Sequence, residues 1–228
     1  MEPLRDAWPA DGFLDKVREI ATANGIVLVF DEITAAFRLN GGGIHAKLGV
    51  EPDMAVFAKA ISNGYPMAVI GGRAAVMEAA QGSFISSTNW TEKTGPVAAL
   101  ATIRKHIAHK VWEHLEATGN KVQQGWRDAA DKAGLSIHIG GLSPISHFSF
   151  GHDLDGAMRT WFTQRMLDFG FLAAGRFYAM YAHTDEHVEA YLDKTRTVFA
   201  EIGAHLDAGT LEAALKGPVA HDGFKRLT

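Results

Sequence analysis

Three short apolar runs, each closed by a polar residue or by glycine, constrain the fold more strongly than any other feature of this sequence. The runs cover residues 26–30, 54–58 and 67–70, and the residues that follow them are Asp31, Lys59 and Gly71. Short β-branched and aromatic runs of this kind are typical of strands buried on both faces of a mostly parallel sheet. A helical pattern from a candidate N-cap at Asp11 to Gly25 precedes the first run, so helix and strand alternate and predict an α/β fold.

A long helical stretch divides the chain near its middle. Pro96 fits the first turn of a helix that is predicted to extend to Ala133. Its apolar positions fall on one stripe, formed by Val97, Leu100, Ile107, Val111 and Leu115. We expect the boundary between two domains, residues 1–108 and 109–228, to lie within this stretch.

The last part of the chain has a different pattern. Residues 136–139 and 146–150 alternate as strands do, and they flank a turn region rich in glycine. Residues 158–169 have a helical pattern, and Thr184 is placed to cap a final helix whose first turn is acidic. These elements predict a small α+β domain.

Composition limits the classes of function that the chain can have. With 228 residues, 47% of them hydrophobic, the chain can bury a substantial core. A formal net charge of −4 and a pI of about 6.2 give no basic face for nucleic acid. The sequence has no cysteine, no apolar run long enough to span a bilayer and no layout of a secretion signal near Met1. We expect a cytoplasmic protein that binds neither nucleic acid nor membrane.

Asp31 and Lys59 are the first candidates for chemistry, because ligands of open α/β sheets gather at the carboxyl ends of strands. A carboxylate facing a pyridine nitrogen keeps that nitrogen protonated, and a lysine amine forms a Schiff base with an aldehyde. Pyridoxal 5'-phosphate (PLP) requires such a pair. Each residue alone also has an ordinary structural interpretation, as a turn cap for Asp31 and as a surface side chain for Lys59.

Several segments, in their order and spacing, resemble the class III aminotransferase and glutamate-1-semialdehyde 2,1-aminomutase family. They are Val29–Ile33 followed by Phe37-Arg38, then Gly49–Asp53, Ala58–Pro66 and Gly71–Arg73. The resemblance implies a PLP-transferase fold of type I, with the C-terminal part of the large domain followed by a small α+β domain. It also implies that Lys59 carries the cofactor and moves the proton, and that Asp31 pairs with the pyridine nitrogen, with Ile33 as a further cofactor contact.

The same resemblance implies further site residues and a homodimer that acts on a small-molecule amino donor and acceptor. Thr91 aligns best with a threonine whose hydroxyl reaches the cofactor phosphate of the partner subunit, and Ser87 and Thr88 are alternatives. Simple helix capping is the competing interpretation of all three. Arg176 is a candidate for binding a substrate carboxylate, with an ordinary surface arginine as the competing interpretation. The loop at Gly41–Gly43 is either near the site and the dimer interface or a flexible turn.

None of the eleven histidines has a recognised metal-ligand spacing, so we expect no metal site. The family resemblance extends from Glu2-Pro3 to residues 223–227, and it implies that the first half of the family's sequence is missing and that Met1 corresponds to an internal position. Two other interpretations remain open. The chain could be an inactive remnant that acts through dimerisation, or Asp31-Glu32 could be the acidic strand end of a P-loop ATPase, although no GxxxxGK[ST] loop occurs.

Overall fold

Three strands form the sheet of the first unit, residues 1–115, in a computed structural model that describes residues 1–86, 88–89 and 91–221. β1 (Val29–Asp31) pairs in parallel with β2 (Met54–Phe57), and β2 pairs antiparallel with β3 (Val69–Gly72). Because β1 and β2 are parallel, their carboxyl ends lie at the same edge of the sheet.

Short helices connect and flank these strands. The α-helices of this unit are α1 (Phe13–Ala23), α2 (His45–Leu48), α3 (Ala74–Met77) and α4 (Thr94–Ala108), and α5 (Val111–Ala133) leads out of it. Two 3-10 turns cover Lys59–Ser62 and Glu78–Gly82. Phe30 is fully buried, and the apolar face of α1 packs against it through Leu14 and Ala21.

Three local expectations were wrong. The N-cap of α1 is Gly12 (φ 73°), which makes no side-chain cap bond, so Asp11 does not cap the helix. β1 begins at Val29, since Ile26 and Val27 are not in a strand. The long helix is interrupted at His109 and Lys110, where Lys110 has a φ of 47°.

The predicted apolar stripe of α4 does not form its buried face. Val97, Leu100 and Ile107 are all exposed, and the helix buries Gly95, Ala99 and His106 instead. Helical spacing correctly showed that these positions form one apolar stripe. It could not show which face of α4 packs against the rest of the unit. Small residues on the buried face let the helix lie close to the chain around Met67, whose side chain approaches Gly95.

The second unit, from Glu116 onward, is an antiparallel sheet with helices, as predicted. Its strands are β4 (Ile137–Gly140), β5 (Ile145–Phe150) and β6 (Arg176–Tyr178), and its helices are the greater part of α5, α6 (Asp155–Asp168) and α7 (Asp185–Ala208). Aromatic rings fill the core, with Phe148 within 4.9 Å of Trp126 and 5.2 Å of Phe162, measured between ring centroids. Trp126 donates to the hydroxyl of Tyr191 at 2.9 Å, and burial raises the pKa of Tyr191 to about 12.

None of the helices that the structure describes combines the length and the apolar character needed to cross a bilayer. The expected division of the chain at residue 108 into two domains stays a prediction.

The start of α7 confirms the predicted cap. The hydroxyl of Thr184 accepts the N–H of His187, and Nδ1 of His187 accepts the N–H of Thr184, both at 3.3 Å. Asp185 and Glu186 place negative charge in the first turn, at the positive end of the helix dipole.

Asp53 joins several elements of the first unit. Its Oδ2 accepts the N–H of Leu28 and a guanidinium N–H of Arg18, both at 2.8 Å, and Oδ1 lies 3.4 Å from Nη1 of Arg73. The hydrogen bond from Leu28, helped by the one from Arg18, lowers the pKa of Asp53. The carboxylate thereby connects α1, the residue that enters β1 and the residue that follows β3.

Replacing the cap should destabilise α7. We expect Thr184→Ala to lower the free energy of unfolding by about 1 kcal/mol, because one helix N–H loses its acceptor. Urea unfolding followed by circular dichroism measures the change. The control is Thr197→Ala at an exposed position inside the same helix, which should not destabilise it, because alanine is the better helix former. Equal effects of the two variants would contradict the capping role.

Neutralising Asp53 should change the pH dependence of stability. A carboxyl whose folded pKa is lowered stabilises the fold above its unfolded pKa, and this contribution disappears as pH falls through the folded value. We expect Asp53→Asn to cost about 2 kcal/mol at pH 7, and the difference from the native sequence to shrink below about pH 4. Unfolding curves between pH 7 and pH 3 measure this, with exposed Asp11→Asn as the control. A difference that stays constant over that range would contradict the assignment.

Candidate active site

Lys59 lies just beyond the carboxyl end of β2. It is the first residue of a 3-10 turn, its side chain is exposed, and its Nζ donates to Oγ1 of Thr34 at 2.8 Å. Its backbone has a φ of 51°, which lies in the left-handed region that residues with a Cβ rarely adopt. Such strain is held in place by surrounding structure and is often found at functional residues.

Asp31 lies at the carboxyl end of the neighbouring parallel strand. It is opposite Val56 in the sheet, it is half-buried, and its Oδ1 accepts the N–H of Ile33 at 3.0 Å. Because Thr34 is three residues beyond Asp31 and Lys59 is three residues beyond Val56, the contact between Lys59 and Thr34 joins the segments that leave the two strands. The structure therefore brings Asp31, Ile33 and Lys59 to one edge of the sheet.

Thr34 was not identified from the sequence as a site residue. The family-like segment quoted from the sequence ends at Ile33, one residue before it. The residues three beyond the paired strand positions meet only if the two strands are parallel and in this register. That register became known only from the backbone pairing.

Glu32 directly follows β1 and is fully buried. Its carboxylate accepts the N–H of Ile44 and the N–H of His45, each at 2.9 Å, and contacts Nδ1 of His45 at 2.8 Å. These contacts close the loop that follows β1. A carboxylate held in this way is not available to orient a water molecule, so the structure disfavours the P-loop ATPase interpretation.

The loop between Glu32 and Ile44 is held at its tip as well. Phe37 has a φ of 62° and its N–H donates to the carbonyl of Gly42 at 2.9 Å. Its buried ring packs against Phe57 and His106, with centroid distances of 6.5 and 5.6 Å. Phe57 is two residues before Lys59, so the loop after Asp31 and the turn that carries Lys59 pack against each other.

His106 is buried in the core of the first unit. Nε2 lies 3.2 Å from the carbonyl of Asn40, and the ring packs edge-on against Phe37. Burial lowers the pKa of His106, and the charge of Arg38 acts in the same direction. Among the residues that the structure describes, no group of three or more His, Cys, Asp or Glu side chains is placed to hold a metal ion.

The other predicted site residues lie apart in sequence from this edge. Thr88 and Thr91 are exposed in turns before α4, and Ser87 lies outside the described residues. Neither threonine caps α4, because the carboxylate of Glu92 accepts the N–H of Thr94. Arg176 is exposed at the start of β6 in the second unit, opposite His147.

The residue types at this edge of the sheet fit a pyridine aldehyde such as PLP. A primary amine can attack the aldehyde carbon, and a carboxylate can accept a hydrogen bond from a protonated ring nitrogen. Oδ1 of Asp31 is already fixed by the N–H of Ile33, and a carboxylate has further lone pairs for a second donor. Oγ1 of Thr34 accepts a hydrogen bond from the Nζ of Lys59 and so fixes the position of that amine.

Sequence comparison gives a consistent result. The family model described as aminotransferase class-III matches residues 6–199. The chain is 31% identical over 208 residues to a glutamate-1-semialdehyde 2,1-aminomutase of Desulforudis audaxviator, covering 84% of this chain and 48% of that protein. It is also 31% identical over 200 residues to a 3-aminobutyryl-CoA aminotransferase of Cloacimonas acidaminovorans, covering 85% and 48%. The chain thus spans about half the length of the curated relatives it matches.

Comparison with solved structures supports the fold. The PLP internal aldimine form of the FumI protein from Sphingopyxis sp. MTA144 superposes with a TM-score of 0.85 at 23% identity, covering 96% of this chain and 53% of that one. An omega-transaminase from Sphaerobacter thermophilus gives a TM-score of 0.76 at 24% identity, covering 87% and 50%.

Backbone strain at Lys59 is testable with two small residues. We expect Lys59→Gly to be more stable than Lys59→Ala by about 1 kcal/mol, because glycine adopts a positive φ without the Cβ penalty. Urea unfolding of both variants measures the difference. In the exposed interior of α7 the order should reverse, so Ala190→Gly should lose about 1 kcal/mol. If alanine at position 59 is as stable as glycine, the strain is absent.

Proposed function

We propose that this chain, which belongs to the class III aminotransferase family, supplies the lysine and the aspartate of a PLP-dependent aminotransferase or aminomutase. The observation that carries the proposal is the position of Lys59 and Asp31 at the carboxyl ends of two paired parallel strands. Open α/β sheets bind ligands at this edge. Family membership supports the choice of cofactor.

Each residue has a distinct task in this proposal. Bound PLP supplies an aldehyde and a ring that withdraws electrons from the substrate's α-carbon. The Nζ of Lys59 would hold the cofactor aldehyde and would move a proton to and from that carbon. Asp31 holds the proton on the ring nitrogen, and the N–H of Ile33 fixes the orientation of the Asp31 carboxylate. Thr34 positions the lysine amine through its hydroxyl.

The proposed substrates are a small-molecule amino donor and acceptor. Transfer between two molecules and transfer within one molecule both need the same lysine and aspartate, so the proposal covers aminotransferase and aminomutase activity. Arg176 is proposed to bind a substrate carboxylate, and its exposure leaves the guanidinium accessible to one. Its preference for planar carboxylates favours this role.

We further propose a homodimer in the cytoplasm. In this arrangement Thr91, or Thr88 in its place, donates its hydroxyl to the cofactor phosphate of the partner subunit. The exposure of both threonines and their absence from the cap of α4 support the proposal, since their hydroxyls are accessible to a second chain.

The attachment residue is tested by chemical trapping. We expect the chain mixed with PLP to develop visible absorbance, and borohydride reduction followed by peptide mapping to place the pyridoxyl group on Lys59. Lys59→Arg should abolish this label, because a guanidinium does not replace the amine. Lys47→Arg is the matched control, since Lys47 is another exposed lysine of the same unit. In this variant the label on Lys59 should be unchanged.

Two results would count against the proposal. A label spread over surface lysines would mean that position 59 has no special reactivity. No label at all, together with a stable dimer, would favour the inactive remnant that acts through dimerisation.

A further inference from the structure

The chain contains three Asn-Gly dipeptides, at residues 24–25, 40–41 and 63–64. Asparagine followed by glycine is the pair most prone to deamidation, because glycine has no Cβ to obstruct the approach of its own backbone nitrogen to the preceding side chain. The reaction needs two groups that are free to move, the side-chain amide of the asparagine and the N–H of the glycine. Hydrogen bonds to these groups therefore decide which dipeptide reacts in the folded chain.

The first dipeptide is held through both groups. The side-chain amide of Asn24 donates to the carbonyl of Ile20 at 2.8 Å, and the N–H of Gly25 donates to the carbonyl of Thr22 at 3.3 Å. Both carbonyls belong to α1, so the dipeptide is fixed against the end of that helix. Asn24 is exposed, and exposure alone therefore does not free it.

The second dipeptide is held by the loop that follows β1. The side-chain amide of Asn40 donates to the carbonyl of Gly43 at 2.6 Å, and its Oδ1 accepts the N–H of Gly42 at 3.4 Å. The ring of Trp112 lies against Gly41, since a Cβ built at that glycine would be only 3.2 Å from the ring. Rotation of the backbone at this dipeptide would break these contacts.

The third dipeptide is different. Asn63 is exposed at the end of the 3-10 turn that begins at Lys59, with backbone angles of φ 50° and ψ 51°. Within the described part of the chain, neither its side-chain amide nor the N–H of Gly64 makes a hydrogen bond. The bonds that close this turn join Ser62 to Tyr65, through the N–H of Tyr65 at 3.3 Å and the hydroxyl of Ser62 at 2.5 Å. The two reacting groups are thus the ones that the turn leaves unbound.

We propose that Asn63 is a site of spontaneous deamidation in the folded chain. The backbone nitrogen of Gly64 loses its proton to a base in solution and forms a C–N bond to Cγ of Asn63, and the side-chain amide leaves as ammonia. Water then opens the cyclic imide at one of its two carbonyls, which gives an aspartyl or an isoaspartyl residue. No electrons are gained or lost, and water is the only co-reactant. The proposal concerns the chain alone and does not depend on the proposed cofactor chemistry.

The product changes the surroundings of Lys59. Asn63 ends the turn that begins at Lys59, and it lines a cavity of about 570 Å³ together with Lys93. Deamidation places a negative charge at this cavity, where the ammonium group of Lys93 stabilises it. The isoaspartyl form also lengthens the backbone by one carbon, in a turn that holds Lys59 at a positive φ. The reaction therefore alters charge and backbone next to the proposed attachment residue.

Peptide mapping by mass spectrometry tests the proposal with two controls inside the same chain. The purified chain is incubated near neutral pH without PLP, and the mass increase that replaces an amide by an acid is followed at each dipeptide. We expect modification at Asn63 to be at least ~10-fold faster than at Asn24 or Asn40, because those two must first break hydrogen bonds. In guanidinium chloride the three rates should converge, since the reacting pair is the same in each dipeptide.

A matched pair of variants assigns the released ammonia. Asn63→Gln should remove most of the ammonia that the folded chain releases at early times, because glutamine must close a larger ring and the other two dipeptides are held. Asn24→Gln is the control at another exposed position, and it should leave the release nearly unchanged. Circular dichroism verifies that both variants fold.

Three results would overturn the proposal. The first is modification of Asn24 or Asn40 at the same rate as Asn63 in the folded chain. The second is no modification of Asn63 in the folded chain under conditions in which the denatured chain reacts. The third is the same order of rates in the denatured chain, which would assign the difference to the neighbouring sequence instead of to hydrogen bonding.

Discussion

The parallel pairing of β1 with β2 is the constraint on which the candidate site depends. The register from Val29 opposite Met54 to Asp31 opposite Val56 makes the two carboxyl ends level, so the segments that leave them meet. Asp53 supports this register from the other end, because it binds the N–H of Leu28 with its side chain and the carbonyl of Leu28 with its backbone. A slip of one residue would exchange the two faces of β1 and turn the Asp31 side chain to the opposite face of the sheet.

A buried carboxylate fixes the segment that follows Asp31. Glu32 is free of solvent contact, and a buried charge is tolerated only when hydrogen bonds replace its hydration. Ile44 and His45 supply those bonds, and in doing so they bring the far end of the loop back to β1. The two adjacent acidic residues therefore differ in role, since Glu32 closes the loop after β1 and Asp31 is the residue proposed to bind the cofactor.

Local signals in the sequence predicted much of the fold. Thr184 and the two acidic residues after it are enough to predict the start of α7. The alternation of apolar and polar residues in β5 is enough to predict which of its faces is buried. The errors concern features decided by neighbours. Helical spacing marks Val97 and Ile107 as apolar, but whether they are buried depends on what packs against α4. Thr34 escaped notice for the same reason, since its contact with Lys59 exists only in the observed register.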